Sequence, residues 1–180
     1  LRLVDEEKLD RPVVVGHSLG GNLALRLAIR APERFAGLVV VDGMPIYPPL
    51  GQGETLEMRS GRIHEIARQM RAASVEEWAA TMESALQGMV RGPDHRKLLL
   101  EVCLKADRET HVGSFQELSC TDLGPQLSRI AVPVDVIAGI PPNGTFGRNS
   151  EALAEFVRKM YAEAYQGTPD VAFHYVTDSL

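Results

Sequence analysis

Val13-Val14-Val15-Gly16-His17-Ser18-Leu19-Gly20-Gly21 is the stretch on which this chain turns. A β-branched apolar run meets Gly-x-Ser-x-Gly, and a helical pattern, Leu23, Leu25, Leu27, Ala28 and Ile29, follows at once. That order predicts a strand, a sharp turn and a helix over Leu19 to Ala31, with one hydroxyl at the apex. A serine nucleophile needs such a turn, because its oxygen must project from the end of a sheet. Gly16 and Gly20 are expected to flank Ser18 because a β-carbon at either would clash across the turn, and Gly21 to let helix and strand lie close. The competing reading of a glycine-rich turn is a phosphate loop. The Gly-Lys-Ser/Thr ending that holds phosphate and Mg²⁺ is missing here.

The composition places the chain among ordinary globular proteins. It has 180 residues, 44% hydrophobic and 24% charged, with a formal net charge of −5. An acidic balance argues against nucleic acid or an anionic membrane as partner. No apolar run approaches the roughly 20 residues that span a bilayer. Cys103 and Cys120 lack metal-ligand spacing and are expected to be free, mostly buried thiols. The histidines (His17, His64, His95, His111 and His174) are scattered, so neither a metal nor another cofactor is expected.

Outward from the elbow, Asp10-Arg11-Pro12 breaks a first helix in Leu1 to Leu9. Gly37 to Val41 reads as a second strand ending at Asp42-Gly43. Both strands are continuous apolar runs, the pattern of parallel strands buried on two faces. From Met44 the character changes: Pro45, Pro48, Pro49, Gly51 and Gly53 form a loop, and helical segments follow until about Arg129. Segments are expected over Glu54 to Ala73, with Gly61 a possible break, and from a capping box at Ser74-Val75-Glu76-Glu77. Another starts at Pro93, and a short one covers Leu118 to Leu127. Strand character resumes over Ile130 to Gly139, then an amphipathic helix over Ser150 to Gln166 and a last strand over Val171 to Val176. This alternation predicts an α/β class.

Gly16-His17-Ser18-Leu19-Gly20-Gly21 resembles the nucleophile elbow of the serine α/β-hydrolase superfamily. The resemblance implies a mostly parallel sheet with helices on both faces. Residues 1–43 and 120–180 would form the core, and 44–119 a helical cap. It implies hydrolysis of a carboxylic ester, thioester or related acyl bond in a small-molecule substrate. Ser18 would be the nucleophile and the Leu19 N–H an oxyanion donor, with His17 shaping the pocket. The superfamily order is Ser, then Asp or Glu, then His. Its acid most often follows the strand ending here at Gly139, where Ile140-Pro141-Pro142-Asn143-Gly144-Thr145 holds no carboxylate. Some members carry the acid one strand earlier, so Asp42 is the expected acid, ahead of Asn143 or Glu151. Asp42 has a structural reading as well, as the residue that ties down its loop.

The superfamily's histidine follows the last strand, and strands that supply the second oxyanion donor precede the elbow. The chain is therefore expected to be a partial domain whose base lies beyond Leu180, and to be inactive alone. A non-catalytic binding module is the alternative from another class, and a haloperoxidase or C–C hydrolase the alternative within the fold. Oligomeric state is not legible, nor is compartment, cytoplasmic being only a default. Of the cap's apolar residues, Met44, Met58, Met70, Met82, Met89, Trp78 and Leu98–Leu100 are expected mainly to pack helix on helix, with a pocket roof as the other use.

Overall fold

A computed structural model describes residues 1–90, 92–140 and 150–177. The contacts divide the chain into two units, Leu1–Gly53 with Thr121–Leu180, and Glu54–Cys120. The first unit runs on from Gly43 to Gly53. Within this loop Met44 and Ile46 are buried, and Met44 belongs to the core of the sheet.

The first unit is built on four parallel strands in the order β1-β2-β3-β4: Val13–His17, Gly37–Val41, Val134–Ile140 and Val171–Thr177. Its helices are α1 (Arg2–Glu6), α2 (Leu19–Arg30) and α7 (Ser150–Ala164). β3 starts at Val134, later than the expected Ile130, because Pro133 has no N–H for the ladder. Its carbonyl is still used, by the Leu38 N–H at 2.9 Å.

The side chains of one sheet face, among them Leu38, Val40, Val134, Val136 and Ala138, are buried. They pack on Ala24, Leu25 and Ala28 of α2 and on Leu153, Val157, Tyr161 and Tyr165 of α7. The other face differs from expectation. Strand alternation and register put Val13, Val15, Val39, Asp135, His174 and Val176 there together. β1 stands at the edge of these four strands, and among the described residues nothing covers this face of it: Val13 is 56% exposed and Val15 68%. Both helices that carry the core lie on the same side. A continuous apolar run reports the chemistry of a strand, not whether both of its faces are covered.

The second unit, between β2 and β3 in the chain, holds α3 (Leu56–Ala72), α4 (Val75–Met89), α5 (Pro93–Lys105) and α6 (Arg108–Cys120). Gly61 does not interrupt α3. The capping box forms as expected, with Ser74 accepting the Glu77 N–H and the Glu77 carboxylate accepting the Ser74 N–H. The helix expected over Leu118 to Leu127 is absent as such: α6 ends at Cys120 and a 3₁₀ turn covers Gly124–Arg129. Pro125 sits at the start of that turn, where a missing N–H is harmless.

Ala67, Trp78, Met82 and Val112 form this unit's core, joined by Met70, Leu100 and Cys103. Met58, Met89, Leu98 and Leu99 are exposed instead of packed. Cys103 and Cys120 are free and half-buried.

Candidate active site

Ser18 leaves β1 with φ 50° and ψ −115° and stands at the N-cap of α2. A left-handed φ is costly for a residue with a β-carbon, and such strain collects where a side chain must be held in one direction. The strain is met by backbone bonds on both sides. The Ser18 N–H donates to the Val41 carbonyl at 2.8 Å, tying the apex to β2. The Ser18 carbonyl accepts the Gly21 and Asn22 N–H groups at 3.0 and 3.2 Å. The Leu19 amide, just ahead of them at the positive end of α2, has no backbone acceptor among the described residues. The Ser18 side chain is exposed, as is His17 beside it, on the open sheet face.

The two glycines around Ser18 are not equivalent. A β-carbon on Gly16 would stand 2.2 Å from the Gly20 carbonyl oxygen and 2.6 Å from the Gly21 nitrogen. One on Gly20 would meet nothing within 4 Å, so the expected clash holds at Gly16 and fails at Gly20. Gly20 is not the intruder but the object intruded upon. Gly21 does allow close approach: its β-carbon would sit 2.7 Å from Val40 Cγ1 and 3.1 Å from the Gly43 Cα. Gly43 answers it, with its own β-carbon 3.0 Å from the Gly21 Cα and 3.2 Å from the Ser18 carbonyl oxygen.

Asp42 therefore begins a turn that abuts the elbow. It too is left-handed, at φ 47°. Its N–H donates to the Ile137 carbonyl at 2.8 Å, and its Oδ1 accepts the Gly139 N–H at 2.7 Å. Tyr161 of α7 lies beside this carboxylate. Burial first, and then the Asp42 charge, push its phenol above the ordinary range. Two side chains that sequence reasoning passed over fix the rest of the turn. Tyr165 donates its phenol to the Gly43 carbonyl at 2.9 Å, and buried Asn22 of α2 reaches the Met44 carbonyl at 2.9 Å. The signal for Asn22 was available: an amide four residues after Ser18 in a helix otherwise apolar around it.

The remaining candidates lie elsewhere. Asp135 and His174 pair with each other at 2.7 Å across β3 and β4 on the open sheet face. Glu151 is exposed in the first turn of α7. Asn143 lies outside the described residues. In the second unit, His64 bonds to Ser60 and His111 packs edge-on against Trp78 at 5.2 Å, while His95 is exposed in α5. Among the described residues no histidine is bonded to Ser18 or Asp42. No group of three or more His, Cys, Asp or Glu residues able to hold a metal occurs among them. Among the described residues no helix is long and apolar enough to cross a membrane.

Comparison with known proteins agrees with this architecture. The 3-oxoadipate enol-lactonase 2 of Acinetobacter baylyi is 25% identical over 157 residues, which is 87% of this chain and 56% of that protein. A hydrolase from Pseudomonas aeruginosa superposes with a TM-score of 0.67 at 24% identity, covering 99% of this chain and 60% of that one. The enol-lactonase from Burkholderia xenovorans gives 0.64 at 21%, covering 98% and 60%. The chain thus spans little more than half the length of these relatives. Residues 2–174 match the alpha/beta hydrolase fold, and the chain belongs to that family.

Proposed function

We propose that this chain carries the nucleophile and acid of a serine hydrolase. The enzyme cleaves a carboxylic ester, thioester or related acyl bond through an acyl-enzyme. One observation carries the proposal: Ser18 is exposed and left-handed at the junction of a parallel strand and a helix N-terminus. Ser18 Oγ attacks the carbonyl carbon, and its proton passes to a base. The oxyanion forms against the Leu19 N–H, a donor of the kind whose loss costs about 100- to 1,000-fold in turnover. The tetrahedral intermediate expels the alcohol or thiol, and water then releases the acid from Ser18.

Asp42 is assigned as the acid that orients the base. A carboxylate has about four lone-pair sites, so the Gly139 N–H and the Tyr161 phenol leave room for an imidazole. His17 is assigned to the substrate side of the elbow. By its place in the chain, the helical unit is assigned as an insertion of the cap type. The enol-lactonase names among the relatives fit an ester-type bond. The base is assigned to a histidine, the usual partner of such a serine, and no described histidine is bonded to Ser18 or Asp42.

That assignment makes a direct test possible. Free imidazole in millimolar amounts can serve as the missing base for p-nitrophenyl acetate hydrolysis. The native chain should show an imidazole-dependent rate above that of imidazole alone, and Ser18→Ala should lose it. A fluorophosphonate should label the same serine under the same conditions. An equal increment in Ser18→Ala overturns the assignment. No increment and no labelling in the native chain would favour instead a binding module of the same fold.

A further inference from the structure

We infer that Asn22 is a positioning residue that locks the Asp42–Pro45 turn to the nucleophile elbow, with Tyr165 as its counterpart from α7. The inference rests on the assignment of Ser18 and Asp42 above and names what holds them in register.

Asn22 is fully buried in α2. Its backbone N–H belongs to the elbow, donating to the Ser18 carbonyl at 3.2 Å. Its side-chain Nδ2 donates to the Met44 carbonyl at 2.9 Å and to the Pro45 carbonyl at 3.3 Å. Arg26, one helical turn on, donates Nε to Asn22 Oδ1 at 2.9 Å. The orientation of the amide is thereby fixed, because its oxygen faces a donor and its nitrogen faces acceptors.

The turn is held from its other side as well. Tyr165, 1% exposed, donates to the Gly43 carbonyl, and the Leu123 N–H reaches the Pro45 carbonyl at 3.2 Å. Three successive carbonyls, of Gly43, Met44 and Pro45, thus each have a donor. At the head of the same turn, the Gly139 N–H holds the Asp42 carboxylate. Buried carbonyls need such partners in any fold. Here the partners, apart from the Leu123 N–H, are side chains drawn from the elbow helix and from α7. A helix that both carries the nucleophile and grips the acid's turn fixes the distance between the two. Small errors in that distance are costly, since a displacement of about 1 Å can lose roughly 100-fold in rate.

The test replaces one donor at a time. Asn22→Asp keeps the size and the acceptor for Arg26 but removes the Nδ2 donor. Tyr165→Phe removes only a hydroxyl and is the variant least disturbing to folding. For both, the Ser18- and imidazole-dependent hydrolysis of p-nitrophenyl acetate is split into kcat and KM. Amide hydrogen exchange is followed at Gly139 and Leu123, with Leu25 and Val136 as core references. The expected result is a fall in kcat of about 10- to 100-fold with KM within about twofold. Exchange at Gly139 and Leu123 should be faster, with the core references unchanged. Unchanged kcat overturns the inference, and so does acceleration of core and turn amides together, which marks a merely structural role. If Ser18→Ala shows no loss of rate, the hydrolase assignment fails on its own, and the exchange pattern still decides whether Asn22 and Tyr165 clamp the turn.

Discussion

Replacing Gly16 and Gly20 by alanine, one at a time, should give opposite results from two glycines that look alike in the motif. At Gly16 the new β-carbon lies 2.2 Å from the Gly20 oxygen and 2.3 Å from its carbon, where ordinary contact begins near 3.4 Å. The backbone must therefore open by roughly 1.2 Å, and no side chain can rotate away to relieve it. Overpacking of this kind costs about 1–3 kcal/mol. Displacing Gly20 and Gly21 also strains the bonds to the Ser18 carbonyl, worth about 1 kcal/mol each. Gly16→Ala should thus lose about 3–5 kcal/mol by the sum of these two effects. At Gly20 the added methyl meets nothing within 4 Å, and the residue is helical. A compatible Gly→Ala change gains about 0.4–1 kcal/mol by restricting the unfolded chain. The two variants should differ by about 3.4–6 kcal/mol, a few hundredfold or more in the folding equilibrium. Trp78 belongs to the other unit, so the assay must read the sheet unit itself: opening free energies from amide exchange at Leu25 and Ala28 of α2. A gap below about 1 kcal/mol, or the reverse order, would refute the steric account of the elbow.

Other consequences can be checked on the same chain. Burial, then the neighbouring Tyr161, raises the Tyr165 phenol above the usual tyrosine range, so the folded state keeps a proton that the unfolded chain releases near pH 10. That stability is complete below about pH 10 and is lost as pH rises beyond it; Tyr165→Phe should flatten the decline of the unfolding midpoint between pH 9 and 11, and equal slopes would count against the buried phenol. In the helical unit, the Arg59 side chain is 2% exposed and forks onto Glu54 at 3.1 and 2.5 Å. Glu54→Gln should cost about 3–5 kcal/mol in urea unfolding followed by Trp78 fluorescence, against no more than about 1 kcal/mol for the exposed partner Arg62→Ala. Comparable losses would mean that the buried guanidinium is not the source. On the open sheet face, Val15→Lys with Val176→Lys should shift a concentration-dependent sedimentation coefficient toward the monomer value with little change in stability. Native chain that stays monomeric at the highest concentrations reached would remove the premise.

The elbow, the parallel strands and the capping box were legible because each has a local cause. Gly-x-Ser-x-Gly after a β-branched run can make only a few turns, and the capping box at Ser74 is spelled out in four residues. The open sheet face was not legible in that way. Val13 and Val15 carry the same sequence signal whether a helix covers them or not, since coverage depends on distant segments. Gly20 misled for a related reason. A motif records that two glycines recur together, whereas only geometry says which one supplies the β-carbon that would clash. The acid's surroundings were the least legible part. Gly139, Tyr161, Tyr165 and Asn22 converge on residues 42–45 from three elements. No spacing rule links them.

Ser18 and Asp42 solve the same problem at adjacent strand ends, and this bears on whether Asp42 is catalytic or only structural. Each keeps its N–H in the ladder, to Val41 and to Ile137, both at 2.8 Å, and then turns left-handed at φ 50° and 47°. Such a conformation costs about 1–3 kcal/mol at a residue with a side chain, and glycine would avoid it. Asp42 repays part of that cost through the Gly139 N–H, so the structural role is real. That role needs an acceptor oxygen at Oδ1 but not a charge. Orienting and stabilising an imidazolium needs the charge. Asp42→Asn separates the two, because Oδ1 still accepts from Gly139 while the carboxylate is gone. A residue retained only to tie β2 to β3 would tolerate the change in both stability and rate. With Asp42 as the acid, the unfolding midpoint should hold while the Ser18-dependent, imidazole-supported turnover drops at least about tenfold. Native turnover in Asp42→Asn would return this aspartate to its loop-tying role and leave Ser18 in need of another acid.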